Sequence, residues 1–178
     1  MKKNIFAIIG SASKQSSNLR LVEKIAALAD DDFNFIIFDR LAEMPHFNPE
    51  LSLENTPQEV LNFREAVLKA DGVLICTPEY IFSIPSGLKN AIEWCVATVV
   101  FVGKPLGIIT ASASGVKGHE ELQLIMSTLE TTYNESTLLL IQGIKGKFDA
   151  AGNITDQKTE QQLVAFVKAF QELVTILP

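Results

Sequence analysis

Five apolar runs, at residues 3–9, 33–38, 72–77, 105–111 and 136–141, alternate along the chain with stretches of helical periodicity. That alternation decides the fold class. A strand that is apolar throughout must be covered on both faces, and strands separated by helices run parallel. Leu19, Leu21, Val22, Ile25 and Leu28 space out the buried stripe of a first helix. Thr56-Pro57-Gln58-Glu59 predicts the start of a second, with an N-cap, a proline in the first turn and a glutamate at N3. Its inward face is Val60, Phe63, Val67 and Ala70. Leu88, Ala91, Ile92 and Cys95 serve the third helix, and Leu122, Ile125, Met126 and Leu129 the fourth. Leu163, Phe166, Val167, Phe170 and Val174 mark the last. The expectation is an α/β fold, a doubly wound five-stranded parallel sheet over a single domain of residues 1–178.

Five strands in a chain of this size suit the flavodoxin-like order 2-1-3-4-5, in which ligands bind beyond the carboxyl ends of the strands. The loops after strands 1, 3 and 4 are residues 10–18, 77–87 and 111–118, and all three are unusual in composition. The first joins an apolar strand to a helix N-terminus and carries four serines, Ser11, Ser13, Ser16 and Ser17, with Asn18. Free N–H groups, the helix dipole and short hydroxyl donors make such a segment an anion cradle. Serine and asparagine also favour N-caps that hold no ligand, so both readings stand. In the second loop Pro78 ends the strand, and Glu79, Tyr80, Ile81 and Phe82 follow. Three large apolar or aromatic residues in one loop call for a planar ligand, a neighbouring subunit or the protein's own core to cover them.

Composition removes other classes. A net charge of −6 speaks against nucleic acid, which needs basic patches. No apolar run approaches a membrane span, and Met1-Lys2-Lys3-Asn4 runs too directly into a strand for a secretory signal, so a cytoplasmic location is expected. Cys76 and Cys95 read as buried thiols, and His46 and His119 without a Cys-His cluster give no zinc site. His46 reads as a solvent-facing loop residue, Trp94 as core or subunit interface, and Asp30-Asp31-Asp32 as a solvated turn. A Rossmann dinucleotide site lacks its Gly-x-Gly-x-x-Gly, a P-loop its Gly-Lys-Ser/Thr, and a receiver domain its acidic pair after strand 1.

Residues 77–94, Thr-Pro-Glu-Tyr-Ile-Phe-Ser-Ile-Pro-Ser-Gly-Leu-Lys-Asn-Ala-Ile-Glu-Trp, resemble the Pro-Glu-Tyr-Asn-x-Ser-Ile-Pro-x-x-Leu-Lys-Asn-Ala-Ile-Asp-Trp signature of the NAD(P)H-dependent FMN reductases. Gly10, Ser11, Ser16 and Asn18 resemble that family's phosphate loop, and Met44–Leu51 its Leu-Pro-x-Phe-Asn-Pro-Asp-Leu segment. Ala70-Asp71-Gly72-Val73 and Gly103-Lys104-Pro105 agree as well, so the resemblance spans about residues 3–130. It implies bound FMN, NADPH or NADH as the hydride source, and a small acceptor such as a quinone, flavin, azo compound or metal oxyanion. It further implies that Ser11, Ser13, Ser16, Ser17 and Asn18 hold the phosphate. Pro78, Glu79, Tyr80 and Ile81 would line the ring, largely through backbone groups, and Ser112, Ser114 and Gly115 would approach its pyrimidine edge. No residue is assigned as general acid or base, because a flavin carries its own redox chemistry.

Three positions depart from the pattern. Ser13 stands where the family has arginine, leaving Lys14 as a flexible point charge. Ile81 replaces the asparagine after Pro-Glu-Tyr, and His119-Glu120-Glu121 follows the fourth loop where the family often has arginine. Ser13 and Ile81 also allow another function, an FMN-binding electron carrier without nicotinamide turnover or a degenerate flavin-binding module that uses the pocket for regulation. Trp94, Val96, Val99, Val100, Phe101 and Val102 add apolar surface beyond the third helix's own inward face. That surface, and pairing in the family through this region, predict a homodimer or a dimer of dimers.

Overall fold

The computed structural model describes residues 1–13 and 16–176. Strands β1 (Lys3–Ile9), β2 (Phe33–Phe38), β3 (Gly72–Thr77), β4 (Leu106–Ser112) and β5 (Leu138–Gln142) form one sheet in the order β2-β1-β3-β4-β5. Every pairing is parallel. Helices α1 (Ser17–Leu28), α2 (Gln58–Lys69), α3 (Ser86–Glu93), α4 (Val116–Thr128) and α5 (Gln157–Ile176) connect and cover it.

The pleat sorts the strand residues between two apolar layers. Ile5, Ala7, Ile9, Leu74, Cys76, Ile109 and Ala111 meet α1 and α5 through Leu21, Val22, Ile25, Leu163, Phe166 and Phe170. Phe6, Ile8, Val73, Ile75, Leu106 and Ile108 meet α2, α3 and α4 through Val60, Phe63, Leu88, Ala91, Leu122 and Met126. Both sides of the sheet are therefore dry along β1, β3 and β4, which is why these strands carry no polar alternation. The edge strand β2 leaves Ile36 and Ile37 exposed. Each large side chain sealed there contributes about 1.5–3 kcal/mol.

Two local expectations fail for identifiable reasons. Thr56 does not cap α2: its hydroxyl donates to the Leu51 and Ser52 carbonyls, which end a 3₁₀ turn at Pro49–Leu51. Pro57 is the residue preceding the helix, without a side-chain cap. The fifth strand begins at Leu138, not 136, because Asn134 caps a 3₁₀ turn at Glu135–Thr137 through a reciprocal capping box with Thr137.

The apolar stretch after α3 divides. Trp94, Val100 and Phe101 turn into the core. The Trp94 indole N–H donates to the Pro45 carbonyl at 2.8 Å, and the Arg64 guanidinium reaches the Trp94 carbonyl and the Ser52 hydroxyl. Val96, Val99 and Val102 remain 62, 75 and 50% exposed. Half of the surface expected to need a partner is thus consumed by the chain itself. Asp30, Asp31 and Asp32 form an exposed turn, and His46 is exposed. No helix among the described residues is long and apolar enough to cross a membrane.

Candidate active site

The turn from β1 into α1 is tight and polar. The Gly10 N–H donates to the Cys76 carbonyl at 2.8 Å, which presses the chain against β3. A Cβ at Gly10 would sit 2.2 Å from Thr77 Oγ1 and 2.5 Å from Thr77 Cβ, so only glycine fits. Ser16 is the N-cap of α1: its hydroxyl accepts from the Leu19 N–H at 3.1 Å. Ser11 accepts from the Ser13 N–H at 3.3 Å. A serine oxygen that accepts still has its own proton to donate, so both hydroxyls can serve an anion. The first turn of α1 contains no acidic residue to compete for its dipole.

Asn18 is turned inward. Its amide donates to the Ala111 carbonyl at 3.4 Å and accepts from the Cys76 thiol at 3.3 Å, so it clips the ends of β3 and β4 to the start of α1. Burial pushes the Cys76 thiol far above its ordinary range, which keeps it a donor. Cys95, also buried and unpaired, is pushed up to about 12 by burial, against a smaller downward pull from Arg64. Lys14 lies outside the described residues.

The loop after β3 is shaped by long-range bonds. Tyr80 and Ser83 exchange backbone hydrogen bonds of 2.9 and 3.1 Å around Ile81 and Phe82, whose φ values are +52° and +59°. Two positive φ values make a type I′ turn, which favours Asn-Gly. A β-branched isoleucine there is strained by about 1–2 kcal/mol. Glu121 of α4 holds the turn, accepting from the Ser83 hydroxyl at 2.7 Å and the Ile84 N–H at 2.9 Å. In the other direction, Glu79 accepts from the N–H groups of Gly115 at 3.1 Å and Gly118 at 2.8 Å. Gly115, at φ +86°, caps α4 without a side chain of its own, and the Glu79 carboxylate supplies what it lacks. Two carboxylates thus cross between the aromatic turn and α4 in opposite directions.

These loops enclose a cavity of about 600 Å³. Ser11, Ser13, Ser16, Ser17, Asn18, Pro78, Glu79, Tyr80 and Ser112 line it. Ile81, Ser114 and Gly115 do not. Ile81 is 94% exposed at the apex of its turn, and Gly115 is spent on the start of α4. Sequence reasoning missed Ala111, Ala113, Gly143, Ile144 and Lys145. The last three follow β5, and the Gly143 N–H donates to the Ala113 carbonyl at 3.2 Å. The strand order carries the signal that would have found them, because β5 neighbours β4 and its carboxyl-end loop must join the same rim.

The donor set suits FMN: hydroxyls and open N–H groups at a helix start for a phosphate, and Pro78, Tyr80 and small residues beside a planar ring. The volume lies within the usual range for a small-molecule site. His119 stands apart on α4, its Nδ1 2.8 Å from the Thr110 hydroxyl, and burial lowers its pKa. No histidine lines the described wall of the cavity.

Residues 3–143 match the model of the NADPH-dependent FMN reductase family. The chain is 29% identical over 176 residues to a 2-hydroxy-1,4-benzoquinone reductase from Burkholderia sp, covering 96% of this chain and 95% of that one. It is 30% identical over 176 residues to an NADPH:quinone oxidoreductase from Arabidopsis thaliana, with 94 and 89% covered. Among solved structures, the flavoenzyme NAD(P)H:(acceptor) oxidoreductase FerB from Paracoccus denitrificans superposes with a TM-score of 0.83 at 28% identity, covering 98% of each chain. The chain belongs to the NADPH-dependent FMN reductase family and is an oxidoreductase with FMN and NAD(P)H as its cofactors.

Proposed function

We propose that the protein reduces small quinone-type acceptors with NAD(P)H, using FMN held in the 600 Å³ cavity as a single binding unit of residues 1–178. The observation that carries this reading is the pairing of a hydroxyl-lined helix start with an aromatic turn across one cavity. Similarity to the benzoquinone and quinone reductases supports the acceptor class. Azo compounds, free flavins and metal oxyanions are further acceptors that the same pocket admits.

Bound FMN supplies hydride transfer, so the chain's task is to bind, orient and shield. Ser11, Ser13, Ser16 and Ser17 donate to the phosphate, with the α1 N-terminus behind them. Asn18 sets their position by clipping three segments together, and its backbone N–H stays at the helix start. Pro78, Glu79 and Tyr80 form one wall of the ring site, and Ser112, whose hydroxyl donates to the Glu79 carbonyl at 3.3 Å, adjoins it, while Ser114 and Gly115 stand outside the lining. Ile81 stands at the mouth, beside the acceptor. Shielding matters because reduced flavin exposed to solvent loses its electrons to dissolved oxygen. The test is spectroscopic: FMN added to the purified protein gives a perturbed flavin spectrum, NADPH bleaches it, and a benzoquinone restores it. Bleaching by chemical reductant but not by NADPH or NADH would mean an electron carrier instead.

The working unit we infer is a cytoplasmic homodimer or dimer of dimers. Val96, Val99 and Val102 stay exposed on the segment after α3, and Tyr80, Ile81 and Phe82 add 52, 94 and 75% exposed apolar side chains at the mouth of the cavity. A strained apolar turn left bare in water favours a second copy over it. Light scattering at micromolar concentration is expected to give at least twice the chain mass; a monomer with full turnover removes this part of the reading.

A further inference from the structure

Lys145 is the only cationic side chain among the described residues that line the cavity. It arrives from the β5 edge of the sheet, on the 3₁₀ turn Ile144–Lys147 that follows that strand. Its position is fixed from below: Ile144 is buried in the same apolar layer as Leu21 and Val22 of α1, and Gly143 is bonded to Ala113. The turn therefore lies on the α1 side of the sheet, where the serines are. The Pro78–Tyr80 wall leads instead into α3, on the other face.

The charges of the cavity are accounted for in a way that leaves Lys145 uncommitted. Glu79, the one carboxylate in the described wall, has both oxygens engaged by α4. Lys147, two residues on, is paired with Asp156 at 2.9 Å. Lys145 has no ion pair or hydrogen bond among the described residues, and its side chain is exposed. The family match ends at residue 143, two residues short of it. With Ser13 at the position where an arginine is the pattern, the described part of the first loop offers neutral donors only. A dianionic phosphate carries more charge than hydroxyls and N–H groups compensate, and a lysine on the cavity wall adds a mobile positive point charge.

We propose that Lys145 is a phosphate-binding residue of this chain, closing over the FMN phosphate from the loop after β5. The proposal rests on the FMN site described above. Because phosphate is what it recognises, riboflavin, which shares the ring and ribityl chain but lacks the phosphate, is the discriminating probe.

The experiment is a fluorescence-quenching titration of the apoprotein with FMN and with riboflavin, for the unaltered chain, Lys145→Gln, Lys145→Arg and Lys69→Gln. Lys69 pairs with Glu65 on the outside of α2, so its replacement controls for the loss of one charge. At low ionic strength Lys145→Gln is expected to weaken FMN about tenfold, the size of one charge-assisted contact. Riboflavin affinity should not change, and the salt dependence of FMN binding should become shallower. Lys145→Arg should restore most of the loss, and Lys69→Gln should leave FMN affinity as it is. Equal weakening of FMN and riboflavin places Lys145 at the ring and overturns the proposal, as does no weakening of either. If the unaltered chain binds riboflavin as tightly as FMN, the serine-loop site itself is wrong, an outcome distinct from a failure of Lys145 alone.

Discussion

The loops after β1 and β3 face each other across one cavity but are built on opposite principles. The first is capped by its own residues, Ser16 at the helix it begins and Ser11 on Ser13, and is tied to β3 and β4 at its two ends, through Gly10 and Asn18. The second is held from outside, by Glu121 on its far end and by the return bond of Glu79 to α4. It also carries unrelieved backbone strain at Ile81 and Phe82, while the described residues of the first loop show no positive φ. A loop closed by local bonds forms as soon as its helix does. A loop closed by bonds to a helix 36 to 39 residues further on depends on α4 being in place.

The strongest way to break this contrast is Gly10→Ala. The added methyl meets the Thr77 side chain at 2.2 Å and its Cα at 3.0 Å, and a backbone contact cannot rotate away. We expect a loss of about 3 kcal/mol or more, at the upper end for overpacking, together with loss of FMN binding. Urea denaturation with parallel flavin titration measures both. Glu79→Ala comes next. It removes two charge-assisted bonds to a helix start that has no other side-chain cap, for about 2–3 kcal/mol. The signature is selective: amide exchange should rise at residues 78–84 and 115–118 while the α1 start stays protected. Uniform loosening of both loops would mean that the two are a single unit.

How much of this was legible in the sequence follows from the same contrast. The doubly wound sheet was readable because burial on both faces leaves apolar runs, and the β1–α1 loop because caps and glycines act within a few residues. The shape of the aromatic turn was not. Nothing in Pro78–Phe82 says that Glu79 will cap α4, since its partners are backbone N–H groups at Gly115 and Gly118. Asn18 reads as a phosphate donor, and its second task is not readable: one amide N–H goes to the Ala111 carbonyl and its oxygen accepts from the Cys76 thiol, contacts set by strand register. Thr56 looked like a cap and was diverted by carbonyls from the preceding turn. Lys145 was overlooked because its loop joins the cavity only through the order of the sheet. Short-range chemistry reads forward; bonds across the sheet do not.

Strain in the second loop predicts a gain. Ile81→Asn places a residue that tolerates positive φ at the first central position of the turn, leaving the exchanged Tyr80–Ser83 bonds intact. Stability should rise by about 1 kcal/mol, seen as a higher urea midpoint with unchanged slope. If it falls, the isoleucine side chain is packed against something, and the measurement should then be repeated across protein concentration to find whether that is a second copy.

The smallest effect separates the loops by pH. His119 sits on α4, half-buried, and burial lowers its pKa below the ordinary 6.5, with the nearby Glu120 pulling weakly the other way. In the folded protein the ring is therefore neutral over a range where the unfolded chain takes up a proton. The unfolded state binds more protons, so stability rises with pH; the contribution is complete above about 6.5 and is lost as pH falls below it. Protonation would also compel the Thr110 hydroxyl, 2.8 Å from Nδ1, to act as acceptor in that bond. Since α4 is what anchors the aromatic turn, acid should loosen residues 78–84 before it touches the serine loop. We expect His119→Gln to flatten the decline in urea midpoint between pH 7 and 5 relative to the unaltered protein, by a few tenths of a kcal/mol. A parallel decline in both proteins would show that carboxylates elsewhere carry the acid sensitivity and that α4 transmits none of it to the turn.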